Sequence, residues 1–220
     1  YVEAIRNLGI SVEPKKTRHL GKPIDERLMQ FAINDVSTNF IRSMVAEGYR
    51  VSLDDYLAFR IFRVSPELVR ELRTLGYTDI PADELVESQI HRVTPSFIRA
   101  MRSAGFENAT LKQLKSAGIH GVTPEFVREL REAGYRDLDL DRYAEFRIHR
   151  VTPEYIRALR DAGYADIPAR KLIEMKIHRV TPEFIQELKE AGYSNIPVQK
   201  LIEMKIHGVD AQFVKKMNGM

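Results

Sequence analysis

The sequence predicts an all-α fold, an αα-hairpin repeat solenoid of about six 29-residue units. Three observations predict it. A block built on Val-Thr-Pro-Glu recurs with its proline at Pro66, Pro95, Pro124, Pro153 and Pro182, each 29 residues after the last. Each block opens a short apolar-periodic segment that closes on Gly-Tyr or Gly-Phe. A second periodic segment follows before the next block begins. Two short helices cannot bury their own apolar faces, so neighbouring hairpins must stack.

The first helix of the pair, here called helix B, is legible at both ends in Val151–Tyr164. Thr152 is an N-cap, because its hydroxyl accepts from orphan N–H groups of the first turn. Pro153 takes the first helical position, where a missing N–H costs nothing. Val151 and Ile156 hold the two places of a hydrophobic staple. At the far end Gly163 suits a left-handed C′ residue, and Tyr164 packs back on Leu159 in a Schellman pattern. The second helix, helix A, is clearest in Ile167–His178, where Leu172, Ile173, Met175 and Ile177 fill the apolar positions. Its counterparts are Ser52–Phe62, Pro81–His91, Thr110–His120, Asp139–His149 and Pro197–His207. Ser52, Thr110 and Asp139 suit a cap, whereas Pro81, Pro168 and Pro197 suit a helix start.

The ends of the chain depart from this rhythm. Tyr1 to Gly9 reads as the end of a helix B, in a chain that starts on Tyr rather than Met, the pattern of a fragment or processed product. About ten extra residues, Pro14 to Pro23, then form a basic loop between prolines. The expected organisation is therefore a partial repeat with a basic insertion over 1–30 and the repeats over 31–220. The last unit has Asp210-Ala211 in place of Thr-Pro and ends early, the pattern of a terminal capping repeat or of a truncated one.

Composition narrows the function classes. Hydrophobic residues make up 44% and charged residues 30%, which is the balance of a folded protein. No apolar run reaches the roughly 18 residues of a membrane span. Cysteine is absent, which excludes disulfides and thiolate chemistry. The net charge is +3, of which residues 11–30 hold +2, so the repeats are close to neutral. That disfavours a nucleic-acid partner, whose phosphates call for a basic surface.

Three recurring residues carry candidate chemistry. His91, His120, His149, His178 and His207 lie 29 residues apart, a ladder that could bind metal or sense pH. Stacked helices lie about 8–10 Å apart, too far for two such rings to reach one zinc. The imidazoles are instead expected to donate to the last carbonyls of helix A. No metal or cofactor is expected. Tyr49, Tyr77, Phe106, Tyr135, Tyr164 and Tyr193 could stack bases, but the Schellman contact already accounts for them as core. The arginine pairs Arg70/Arg73, Arg99/Arg102, Arg128/Arg131 and Arg157/Arg160 fall on one flank of helix B, beside an acidic flank. They read as a basic stripe for a protein or peptide partner, an acidic one above all. Their bland alternative is local ion pairing at i, i+4, such as Arg157 with Asp161 or Arg128 with Glu132.

The run Ile-His-Arg/Gly-Val-Thr-Pro-Glu-Phe/Tyr-Ile, followed by Leu-Arg-Glu-Ala-Gly-Tyr, resembles repeats in bacterial proteins that also carry a BlaR1-like membrane metallopeptidase. The resemblance covers residues 31–220 and rests on Val122-Thr123-Pro124-Glu125-Phe126-Val127 and its copies. It implies an accessory repeat region of such a protein, compatible with an extracytoplasmic place. The peptidase of that family uses His-Glu-x-x-His, and no His here is followed by Glu. The expected function is thus a non-catalytic scaffold that binds protein or peptide. The alternatives are a nucleic-acid-binding repeat and a regulatory or sensor region of a larger membrane peptidase-like protein.

Overall fold

The computed structural model describes residues 1–10 and 24–218. Among these residues every regular element is an α-helix, and the helices recur at regular spacing. The B helices are α1 (Val2–Asn7), α3 (Thr38–Ala46), α5 (Pro66–Thr74), α7 (Pro95–Ser103), α9 (Pro124–Glu132), α11 (Pro153–Asp161), α13 (Pro182–Glu190) and α15 (Ala211–Asn218). The A helices are α2 (Ile24–Ile33), α4 (Leu53–Ile61), α6 (Ala82–Ile90), α8 (Leu111–His120), α10 (Leu140–Ile148), α12 (Ala169–Ile177) and α14 (Val198–Ile206). The fold is an all-α helical repeat. The predicted Pro14–Pro23 loop lies outside the described residues. Two compact units result, Tyr1–Ala100 with Thr110–Lys115, and Met101–Ala109 with Ser116–Met220.

Within each unit like packs on like. In the first, α4 lies against α6; in the second, α12 lies against α14, α11 against α13, and α13 against α15. The core is drawn from both helix types. Tyr56, Phe59, Leu72 and Leu85 are fully buried in the first unit, and Leu130, Tyr143, Phe146, Leu159, Leu172 and Met175 in the second. The C″ tyrosines add polar bonds between repeats. Tyr49 Oη donates to Ile80 O at 2.8 Å, Tyr135 Oη to Ile167 O at 2.6 Å, and Tyr164 Oη to Ile196 O at 2.8 Å. The hydroxyl is used here, beyond the packing role expected of these rings. Phe106, which lacks it, is covered instead by the Arg131 guanidinium 5.6 Å from its centroid.

The expected Thr cap and C-terminal turn of helix B are present. Thr152 Oγ1 accepts from Tyr155 N at 3.2 Å, as Thr123 does from Phe126 and Thr181 from Phe184. Tyr164 N donates to Leu159 O at 2.9 Å and Gly163 N to Arg160 O at 2.8 Å, the two bonds of a Schellman motif. At the start of helix A one expectation is corrected. Pro168 and Pro197 occupy the N-cap rather than the first helical position, and no side chain caps these ends. Their fixed φ serves the extended entry, and the residue behind them begins the helix.

Helix A also closes on a Schellman motif, which the sequence does not advertise. Val180 N donates to Met175 O at 2.8 Å, and Arg179 N to Lys176 O at 3.2 Å. The left-handed C′ residue is an arginine in four units: Arg63, Arg92, Arg150 and Arg179, with φ between 55 and 59°. Gly121 and Gly208 stand at the same place with φ 68°. From α3 to α13 the C′ residues of helix B sit farther out, from Gly76 at 84° to Gly134 at 107°. The left-handed well for a residue with Cβ lies near +50 to +70°. Helix B therefore demands glycine, while helix A accepts a side chain at a cost of roughly 1 kcal/mol. Gly163→Val should accordingly cost about 2 kcal/mol or more, read as a lowered thermal midpoint. A Cβ there meets only the Lys189 ammonium at 3.9 Å, so the penalty is backbone strain rather than clash. A melting curve matching the parent's would refute that account.

Candidate interaction surface

The predicted arginines occupy two distinct settings. In the first unit Arg70 lies 3.1 Å from Glu47 and 2.7 Å from Glu67, and Arg99 lies 3.7 Å from Glu71. Arg73 pairs with the Glu47 carboxylate at 2.6 Å and also donates to the Glu47 carbonyl at 2.5 Å. In the second unit Arg157 pairs with Glu154 at 2.7 Å. Arg128 is exposed, and its charge is among the influences holding the Glu125 carboxyl below its usual range, after backbone and Thr123 hydrogen bonds. Arg102 is half-buried. Arg131 lies over Phe106, and its charge partly offsets the burial that raises the Tyr143 phenol. The expected pairing of Arg157 with Asp161 is replaced by pairing one turn back. Helical side chains point toward the N-terminus, which aims Arg157 at Glu154.

Arg160 shows a role that the second basic residue of helix B takes in three units. Its Nη2 donates to Ala133 O at 2.8 Å, and Lys189 Nζ donates to Ala162 O at 2.7 Å. Glu47, Ala133 and Ala162 are the C-cap residues of α3, α9 and α11. Arg73, Arg160 and Lys189 thus satisfy a helix-end carbonyl of the preceding repeat, where the macrodipole favours a cation. The basic flank of helix B is largely engaged within the fold.

The turn from helix A to helix B presents a different surface. Its connection is short: His178 is the C-cap of α12, Arg179 its C′ residue, Val180 its C″ residue, and Thr181 the N-cap of α13. The imidazoles of His91, His120, His149, His178 and His207 make no hydrogen bond among the described residues. The expectation that they donate to the last carbonyls is corrected; the backbone N–H closes the helix instead, from His178 to Glu174 O at 3.0 Å. No group of three or more potential metal-binding side chains occurs among the described residues.

Beside each histidine stands an exposed isoleucine. Ile61, Ile90, Ile119, Ile148, Ile177 and Ile206 keep between 47 and 53% of their surface, and Ile33 keeps 74%. Sequence reasoning placed Ile177 in the core. A wheel centred on Leu172 could have found the discrepancy, since Met175 then falls at about 300° and Ile177 at about 140°. In four units the residue before the isoleucine is a cation that roofs an aromatic ring of helix B, as Arg60 does 5.0 Å from the Phe40 centroid. Arg147 lies 3.9 Å from the Phe126 centroid, Lys176 4.2 Å from Tyr155 and Lys205 4.6 Å from Phe184. Burial, with a smaller contribution from Arg150, lowers the Lys176 pKa.

Among the described residues no helix is long and apolar enough to cross a membrane. No protein-family model, curated protein or solved structure matches this chain.

Proposed function

We propose that this chain is a non-catalytic helical-repeat scaffold that binds a protein or peptide along an extended surface. One observation supports the reading above the others. The same isoleucine is half exposed at the end of successive A helices, in both compact units. Exposed apolar side chains are ordinary when scattered singly, but a repeated one makes a surface that favours cover. Helical repeats serve such binding because each unit adds one more copy of the same contact to the array. The resemblance to accessory repeats of membrane peptidase-like proteins would make this binding regulatory, with the partner or the enzyme elsewhere.

Selection of random displayed peptides on the immobilised chain tests the reading. Enriched sequences should bind the folded chain by calorimetry in the micromolar range, which corresponds to about −8 kcal/mol. The reading fails if nothing enriches above a heat-unfolded control. It also fails if single-stranded RNA binds with a steep salt dependence and no peptide binds, because phosphate contacts release counterions.

A further inference from the structure

We propose that the docking surface is the turn edge between helices A and B, and that its partner is an acidic segment in which carboxylates alternate with apolar side chains. The proposal rests on the reading of the chain as a peptide-binding scaffold and names the face and the partner chemistry.

The argument starts from a local conflict. Arg63, Arg92, Arg150 and Arg179 hold left-handed backbone that a residue with Cβ adopts reluctantly. Gly121 and Gly208 close the same turn in other units with the same pair of backbone bonds, for example Val122 N to Ala117 O at 2.8 Å. The turn therefore does not need the arginine. Residues that strain the backbone without a local return point to a role outside the fold. The four guanidinium groups agree: all four residues are exposed, and none makes an ion pair or side-chain hydrogen bond among the described residues. Helix B differs, for Arg70, Arg73, Arg157 and Arg160 are all engaged there.

Charge and apolarity together define what the edge fits. In the second unit the stretch 147–154 carries Arg147 and Arg150 against Glu154, and the stretch 176–183 carries Lys176 and Arg179 against Glu183. Each is thus net +1 with histidine neutral. Lys176 feels the Arg150 charge directly, so the positive potential of successive repeats overlaps. Ile148 and Ile177 lie in the same two turns, half exposed. A planar guanidinium fork takes a carboxylate bidentately, and a neighbouring isoleucine takes an aliphatic side chain. A nucleic acid would use the cations but would find branched aliphatic side chains where its bases need flat rings.

The test uses the full chain and a fluorescein-labelled 21-residue probe of repeated Leu-Glu-Glu, followed by anisotropy at low salt. Arg150→Gly with Arg179→Gly should melt at or above the parent's midpoint, because the turn accepts glycine, and yet bind the probe about tenfold more weakly. Ile148→Ser with Ile177→Ser should weaken binding by a similar factor, and a probe with serine for leucine should bind poorly to the parent. Arg99→Gln with Arg128→Gln and Arg157→Gln on helices B, compared with the double glycine variant at about 0.15 M salt where charges off this edge are screened, should leave the dissociation constant within about twofold. Unchanged binding by the double glycine variant would overturn the assignment of this edge. Capture by phosphatidylserine vesicles, or by single-stranded RNA, without capture of the probe would overturn the partner class. If library-selected peptides bind both the parent and the glycine variant equally, the scaffold reading stands and this docking surface falls. If neither the probe nor any selected peptide binds, both fall.

Discussion

Phe146→Ala should destabilise the chain by about 3–5 kcal/mol, the usual cost of deleting a buried ring and leaving its cavity. Phe146 has no exposed surface, and its ring meets Tyr135 edge-on at 5.7 Å between centroids. Its carbonyl also accepts from Val151 N at 2.7 Å, which closes α10 before α11 begins. The damage should be graded along the chain. In a repeat fold each unit is held by its immediate neighbours, so hydrogen exchange should accelerate in α9 to α12 before it accelerates in α4. Simultaneous loss of protection in every helix would instead point to one undivided cooperative core.

The second large effect is a steep alkaline limit. Burial pushes the Tyr135 phenol up to about 12 from an ordinary value of 10.0, with Asp166 adding a little and Arg160 opposing. Burial also raises Tyr143 and Tyr155, the latter further still. The sign follows from linkage: the neutral phenol is favoured in the fold, so its stabilisation is complete below pH 10 and is lost as pH rises through 12. Tyr135 and Tyr155 also donate to Ile167 O and Val180 O, bonds that a phenolate cannot donate. Far-ultraviolet dichroism should therefore stay flat to about pH 10 and fall steeply above it, with tyrosinate absorbance from these residues rising as the helices around them are lost. Full ionisation of all nine tyrosines while the helices persist would contradict the assigned burial.

How far this structure was legible in the sequence depends on whether a rule is written in residue identity or in angle. Thr152, Pro153 and Gly163 each suit one backbone role, so helix B could be drawn with both ends in place. The close of helix A could not, because Arg179 carries no sign of the left-handed turn it makes. The same turn holds the proposed docking edge, whereas the sequence pointed to the helix B pairs Arg70/Arg73, Arg99/Arg102, Arg128/Arg131 and Arg157/Arg160. Spacing alone put those residues on one flank, and it could not show that Arg160 reaches the Ala133 carbonyl or that Arg157 is occupied by Glu154. Ile177 was misplaced for a related reason: hydropathy counted it with Leu172 and Met175, although its angle on the helix is different.

The two glycine-like turns have unequal freedom, and that inequality has an evolutionary reading. Gly48, Gly76, Gly105, Gly134, Gly163 and Gly192 are fixed by φ beyond 80°, so any lineage of this array must keep them. The turn after helix A holds Asp35, Arg63, Arg92, Gly121, Arg150, Arg179 and Gly208 on one backbone shape. It is a writable position in an otherwise locked cassette. A duplicated repeat can change its letter there without refolding its neighbours, so the proposed docking edge can be rewritten by single substitutions at intervals of 29 residues.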